Sequence, residues 1–228
     1  MPNCNKIPDF NPDRLFVPLS SEPYNWFKNG RKKWELRTYG QGFTEDHVYY
    51  NRHVELRKGY STDQSIWGKI EYVVIQESFK DILDTIPYYE IFPEATSNKE
   101  AQEQFKNIIN QRMTESQLIA FKVNDNVGEI ELDPKHIKKV VRREKSTTIR
   151  LGHRDYKKGP AILNSKGTYV PIYINELNHT KRSQLSKDDA IRDGFSSVRE
   201  LQSALEKYYP QIKKDSPVTI VKFDARIN

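Results

Sequence analysis

Apolar and polar positions along the first half of the chain alternate between two periods, and each switch marks an element. Leu15 to Leu19 has the length and composition of a strand. Ser20, Ser21 and Pro23 then supply cap and first-turn signals for a helix that Gly30 ends. Lys33 to Tyr39 reads as extended, and Val54 to Leu56 and Ile70 to Ile75 as further strands. The spacing predicts a helix over 98–110 with Ala101, Phe105 and Ile108 or Ile109 inward, capped by Ser97 with Glu100 three residues on. A strand over Leu118 to Val123 closes the half.

Asn124-Asp125-Asn126 is a turn by composition, and the boundary between two domains, 1–124 and 127–228, is placed there. The second half repeats the order of the first. A strand over Val127 to Leu132 leads to Asp133 as cap and Pro134 at the first helical position, with Ile137, Val140 and Val141 as the apolar stripe. Thr147 to Leu151, Ala161 to Leu163 and Thr168 to Leu177 read as strands, the last alternating at Val170, Ile172 and Ile174. Ser197 and Glu200 open a helix with Leu201, Ala204, Leu205 and Tyr208 on one face, and Val218 to Phe223 is the final strand. Two halves with the order strand, helix, several strands, helix, strand predict an α+β fold, each unit a curved or closed sheet with helices at its ends.

Charge separates what the pattern makes alike. Residues 1–134 hold 16 Lys and Arg against 21 Asp and Glu, and residues 135–228 hold 21 against 10, so a net +6 divides into −5 and +11. Lys135 to Lys158 alone carries ten cations against Glu144 and Asp155. Such density is the footprint expected for phosphate or nucleic acid, and equally that of a solvated face. The single cysteine, Cys4, leaves no internal disulfide framework, and the opening residues MPNCNKIPDF lack the apolar stretch of a signal peptide. No segment approaches the roughly 20 continuous apolar residues of a membrane span, so a cytoplasmic protein is expected.

A short pattern occurs twice: Lys32, Glu35 and Arg37, then Lys145, Thr148 and Arg150. Both cations recur at one offset, 145 − 32 = 113 and 150 − 37 = 113. The copies differ at the middle position, where a carboxylate stands in one and a hydroxyl in the other. Aligning Ser97 and Glu100 with Ser197 and Glu200 places Pro93 opposite Asp193, so the first copy lacks both the hydroxyl and a counterpart of Asp193 and fits a binding or scaffolding role. Pairing of Glu35 with Arg37 or Lys32 inside the domain is the alternative.

Gly30, Lys32, Glu35 and Arg37 resemble the signature of the ASCH domain, a small barrel of the PUA-like group associated with RNA. Lys145, Thr148 and Arg150, followed by Ala190, Asp193, Gly194 and Phe195, resemble the ASCH members that hydrolyse acetylcytidine. The resemblance spans nearly the whole chain and implies two small PUA-like mixed β-barrel domains in tandem, each with flanking helices. In the second it implies Lys145, Thr148 and Asp193 as a catalytic set. The chain departs from the pattern at Asp193, where the family has glutamate, and at Arg143 and Glu144, where a glycine is expected before the lysine. A difference of one methylene matters at a catalytic centre, where displacements of about 1 Å are costly.

The set makes chemical sense, since a threonine hydroxyl attacks only when a base takes its proton. Lys145 would have to be neutral, which from an ordinary pKa near 10.4 requires roughly 4 kcal/mol. A charged Lys145 holding a carbonyl or phosphate oxygen is the cheaper arrangement, with Asp193 pairing it or carrying a proton. Each residue also has a structural use: Thr148 packs in a strand, Asp193 before Gly194 caps or turns the chain, and Arg150 pairs within the fold.

Arg150, His153 and Arg154 are further candidates for ligand contact in the basic half, as are Lys32, Glu35 and Arg37 in the first. Tyr24, Trp26, Trp34 and Tyr39 around the first pattern, and Tyr169 and Tyr173 after the second, suit base stacking or a core. The five histidines show no metal-ligand spacing, and no metal or cofactor is expected. The reading is therefore a protein that binds RNA or a modified nucleoside or nucleotide in its second domain. An amidohydrolase acting on acylated cytidine, and a ribonuclease, are the alternatives.

Overall fold

A computed structural model describes residues 12–108 and 117–228. Cys4 and Ile109 lie outside the described residues, as do the last two positions of the helix expected over 98–110. The chain folds as two compact units, the first over Arg14–Val127 and the second over Gly128–Asn228 together with Pro12 and Asp13.

In the first unit, β1 (Leu15–Leu19), α1 (Ser21–Lys28), β2 (Trp34–Thr38), β3 (His53–Lys58) and β4 (Ser65–Gln76) lead to α2 (Phe79–Thr85), α3 (Tyr88–Ile91), α4 (Asn98–Ile108) and β5 (Leu118–Asn124). The five strands form one curled mixed sheet in the order β1-β3-β4-β5-β2, with β1 parallel to β3 and the other neighbours antiparallel. In the second unit, β6 (Gly128–Glu131), α5 (Pro134–Val141), β7 (Thr147–Leu151), β8 (Gly159–Ser165) and β9 (Thr168–Lys181) precede α6 (Lys187–Arg192), α7 (Val198–Tyr208) and β10 (Pro217–Ala225). Its sheet runs β6-β8-β9-β10-β7, again with the first pair parallel. The two sheets are strand-for-strand equivalents, and the fold is α+β with two half-barrel units.

Each curled sheet buries an apolar cluster on either face. In the second unit, Ile137 and Val140 of α5 pack with Leu163, Val170, Ile172, Val221 and Phe223. Ile149 of β7 joins Leu201 and Leu205 of α7 and Ile220 of β10 in the other cluster. Tyr24, Trp26 and Trp34, read above as stacking surface or core, are core. Ile108, expected inward, is 69% exposed at the last described turn of α4. α2, α3 and α6 were not anticipated.

Candidate functional site

α5 ends in a Schellman turn. The Glu144 N–H reaches the Lys139 carbonyl at 2.8 Å, and the Arg143 N–H reaches that of Val140 at 2.9 Å. Arg143 takes φ +60° there, and the equivalent place after α1 belongs to Gly30 at φ +70°. The missing glycine of the second copy is thus replaced by an arginine held in the same left-handed conformation. The turn delivers Lys145, 3% exposed, to the start of β7.

α6 ends the same way, with Phe195 N–H to Ala190 O at 2.8 Å and Gly194 N–H to Ile191 O at 2.9 Å. Gly194 has φ +83°, and a Cβ there would come within 3.0 Å of the Lys139 side chain. Its own carbonyl accepts from Lys139 Nζ. The turn leaves Asp193 at the C-cap, buried at 4% exposure.

These two turns meet. Lys145 Nζ donates to the Asp193 carbonyl at 2.8 Å and forms an ion pair with its carboxylate. Asp193 Oδ2 accepts the Ile149 N–H at 3.1 Å, and the Ser146 N–H donates to the Arg192 carbonyl at 2.9 Å. The end of α6 is therefore fastened along β7. Thr148 and Arg150, two apart on that strand, lie on one side of it.

Lys145, Thr148, Arg150 and Asp193 line the polar end of a cavity of about 190 Å3, whose apolar wall includes Leu132, Phe195, Leu201 and Leu205. That is smaller than the roughly 300–1,000 Å3 of sites for drug-sized ligands and suits a single ring. Arg150 donates to the Glu131 carbonyl, while its buried Nε has no hydrogen-bond partner. Burial pushes the Lys145 ammonium well below its ordinary pKa, and Arg150 and Lys139 add to this. The Asp193 carboxylate is in ion-pair contact with that ammonium, which favours the charged form.

His136 also lines the cavity, a position that residue pattern alone does not reveal. His136, in the first turn of α5, is 6% exposed and packs edge-on against Phe195, ring centroids 5.5 Å apart. Tyr208 lies on it at 6.4 Å, and its Nδ1 is buried with no hydrogen-bond partner. Burial lowers its pKa to about 4, with Lys145, Lys135 and Lys139 contributing and Asp133 opposing. The available signal was its place four residues before Val140, on the buried side of the helix.

His153 and Arg154 are not among the cavity's lining residues. They are exposed on the loop after β7, where the Arg154 N–H donates to Thr219 Oγ1 at 2.9 Å and Arg154 Nε to the Leu151 carbonyl at 3.1 Å. The His153 ring lies 4.9 Å from that of His179.

In the first unit the corresponding residues pair with one another. Glu35 is buried, with Arg37 Nε at 2.9 Å and Lys32 Nζ at 3.6 Å. Lys32 Nζ donates to the Ile91 carbonyl at 2.8 Å, and Arg37 to that of Pro18 at 2.8 Å. Since Lys32 reaches Ile91 as Lys145 reaches Asp193, the residue opposite Asp193 is Ile91 rather than Pro93. The link from that position to the cap serine is two residues longer in the first unit, 92–96 against 194–196, which an alignment on the serines alone misplaces.

The sequence matches no family model and no curated protein. Among solved structures, it is similar to the hypothetical protein PH0355 at 17% identity and TM-score 0.42, over 49% of this chain and 97% of that one. It is similar to an ASCH domain from Lactobacillus crispatus at 14% identity and TM-score 0.40, over 56% of this chain and 92% of that one. ASCH from Zymomonas mobilis follows at 15% identity and TM-score 0.34, over 49% and 67%. Structures resembling this chain thus include ASCH domains. Among the described residues no helix is long and apolar enough to cross a membrane.

Proposed function

We propose that the second unit binds RNA or a modified nucleoside, with one base seated in the cavity of Lys145, Thr148, Arg150 and Asp193. The convergence of these four side chains on a ring-sized space with an apolar wall carries the reading. Lys135, Arg142, Arg143, Arg154, Lys157 and Lys158 are exposed in the same unit and supply cations for backbone phosphates. The first unit, whose equivalent cations are held by Glu35, is assigned a binding or scaffolding role.

A hydrolytic reading is favoured by one further observation: the Thr148 hydroxyl shares the cavity with a lysine whose pKa burial depresses. Thr148 Oγ1 would attack the acyl carbon of an exocyclic amide while Lys145 takes its proton. The carbon–nitrogen bond then breaks as the Lys145–Asp193 pair returns the proton to the leaving amine, and water releases the acyl group from Thr148 as the acid.

The two readings separate in one preparation. Incubation with acetylcytidine should release cytidine if the hydrolytic reading holds, and Thr148→Ala should abolish release while leaving nucleoside binding measurable by calorimetry. A flat time course removes hydrolysis, and absence of nucleoside or RNA binding removes the leading reading. Metal-independent cleavage of unmodified RNA would instead identify a ribonuclease. Thr148 is the residue to change because removing Lys145 or Asp193 strands a buried charge, at a cost of about 3–5 kcal/mol in folding.

A further inference from the structure

We propose that His136 determines which ligands this cavity accepts, selecting a flat, uncharged ring that presents an N–H to its Nδ1. The inference rests on the binding reading above and specifies its ligand.

The His136 imidazole has one buried nitrogen with nothing to bond. His136 lines the cavity beside Lys145, Thr148 and Asp193, and its Nδ1 is buried without a partner. A buried polar atom left unpaired is costly, and an orphaned N–H is rarer in folded proteins than an orphaned acceptor. The economical tautomer therefore leaves Nδ1 as a bare lone pair. Burial, with Lys145, Lys135 and Lys139 adding to it and Asp133 opposing, lowers the ring's pKa to about 4, so that lone pair persists at neutral pH. Only a donor completes it.

Three ligand classes are then distinguished. An ammonium or other cation carries donors but finds no free carboxylate, since Asp193 is paired with Lys145 and Asp133 accepts from the Lys135 N–H and the Tyr208 hydroxyl. A phosphomonoester dianion is drawn to Lys145 and Arg150 but has no hydrogen to offer. A neutral heterocycle with a ring or exocyclic N–H meets both conditions and fits the aromatic surroundings. Phe195 and Tyr208 lie 5.5 and 6.4 Å from the imidazole by ring centroid, and Leu201 and Leu205 of α7 line the same space. Phosphates attached to such a ring would fall to the exposed cations outside. The 113-residue offset puts Pro23 at this place in the first unit, so the selecting group belongs to the second alone.

Binding of two nucleoside pairs to the full chain at pH 7 tests the proposal by calorimetry: cytidine with N4,N4-dimethylcytidine, and uridine with 3-methyluridine. Each pair differs by loss of base N–H. The wild type should favour the N–H member of at least one pair by roughly tenfold. His136→Phe, which keeps an aromatic ring, should bring that ratio close to one. His136→Asn, whose Oδ1 falls near the Nδ1 position, should retain it, and thermal unfolding checks that each variant is folded. A wild type that binds both members equally, or a His136→Phe protein that discriminates as the wild type does, overturns the proposal and leaves the binding reading standing. Should His136→Phe not fold, loss of the ratio in folded His136→Asn overturns it in the same way. A wild type that binds no nucleoside overturns both.

Discussion

A histidine that is buried, with three lysines adding to the effect, leaves a mark on stability. His136 has a folded pKa of about 4, whereas an unfolded chain would hold it near 6.5. Below pH 6.5 the unfolded state gains a proton that the folded state refuses, so stability is complete above that pH and falls as pH drops toward 4. Urea unfolding followed between pH 7 and 4.5 should show a loss on the order of 2 kcal/mol, and His136→Phe should flatten that slope. An unchanged slope in the variant would assign the loss to other groups. Lys145, Thr148 and Arg150 were legible as candidates from residue type and repeated spacing, and Asp193 from the resemblance to the ASCH members that hydrolyse acetylcytidine. His136 was not, because a lone histidine in a helix carries none until its neighbours are known.

At the level of elements, the long periodic segments were readable and the short ones were not. β1 and β7 fall where the hydrophobic pattern puts them, and Asp133 Oδ1 accepts the Lys135 N–H at 3.0 Å as its cap position requires. α2, α3 and α6 have seven, four and six residues, too few for a 3.6-residue period to repeat. α6 nevertheless had a local signal, the box in which Ser186 and Asp189 cap one another, at 3.2 Å from the Asp189 N–H to Ser186 Oγ. Missing α6 concealed the reason that Asp193 matters, since the C-cap of that helix sets it against Lys145. The turn after α5 offers a direct test. Arg143 holds a left-handed conformation that costs a non-glycine residue roughly 1–2 kcal/mol, and its Schellman counterpart after α1 is Gly30. Arg143→Gly should therefore stabilise the protein by about 0.5–1 kcal/mol after the added freedom of the unfolded chain is counted, visible as a rise of a few degrees in Tm. A fall in Tm would show that the arginine side chain contributes more than its backbone conformation costs.

At the scale of the whole molecule, the charge asymmetry separates two units of one topology. The −5 and +11 of the two halves are invisible in the strand order, which is the same in both sheets. Of the ten cations between Lys135 and Lys158, Lys145 is buried against Asp193 and six are exposed. If all six met phosphates of single-stranded RNA, the logarithm of affinity would fall with that of salt concentration at a slope of about −4. Titrations from 50 to 300 mM salt should give a slope between about −2 and −4. A slope near zero would leave the cluster without a role in phosphate contact.

By itself the sequence determined the two-fold repetition of elements, most of the strands and the pairing of basic anchors at a constant offset, because these depend on periodicity and spacing along the chain. It also determined that hydroxyl, acid and positive charge gather only in the second half. Tertiary structure alone decided that Asp193 meets Lys145 from 48 residues away, that His136 closes on the same cavity, and that Glu35 holds both cations of the first copy. The physical reason is that such contacts are set by where two helix ends turn in space. A left-handed residue and a short link of three rather than five residues place them, and neither leaves a period in the sequence.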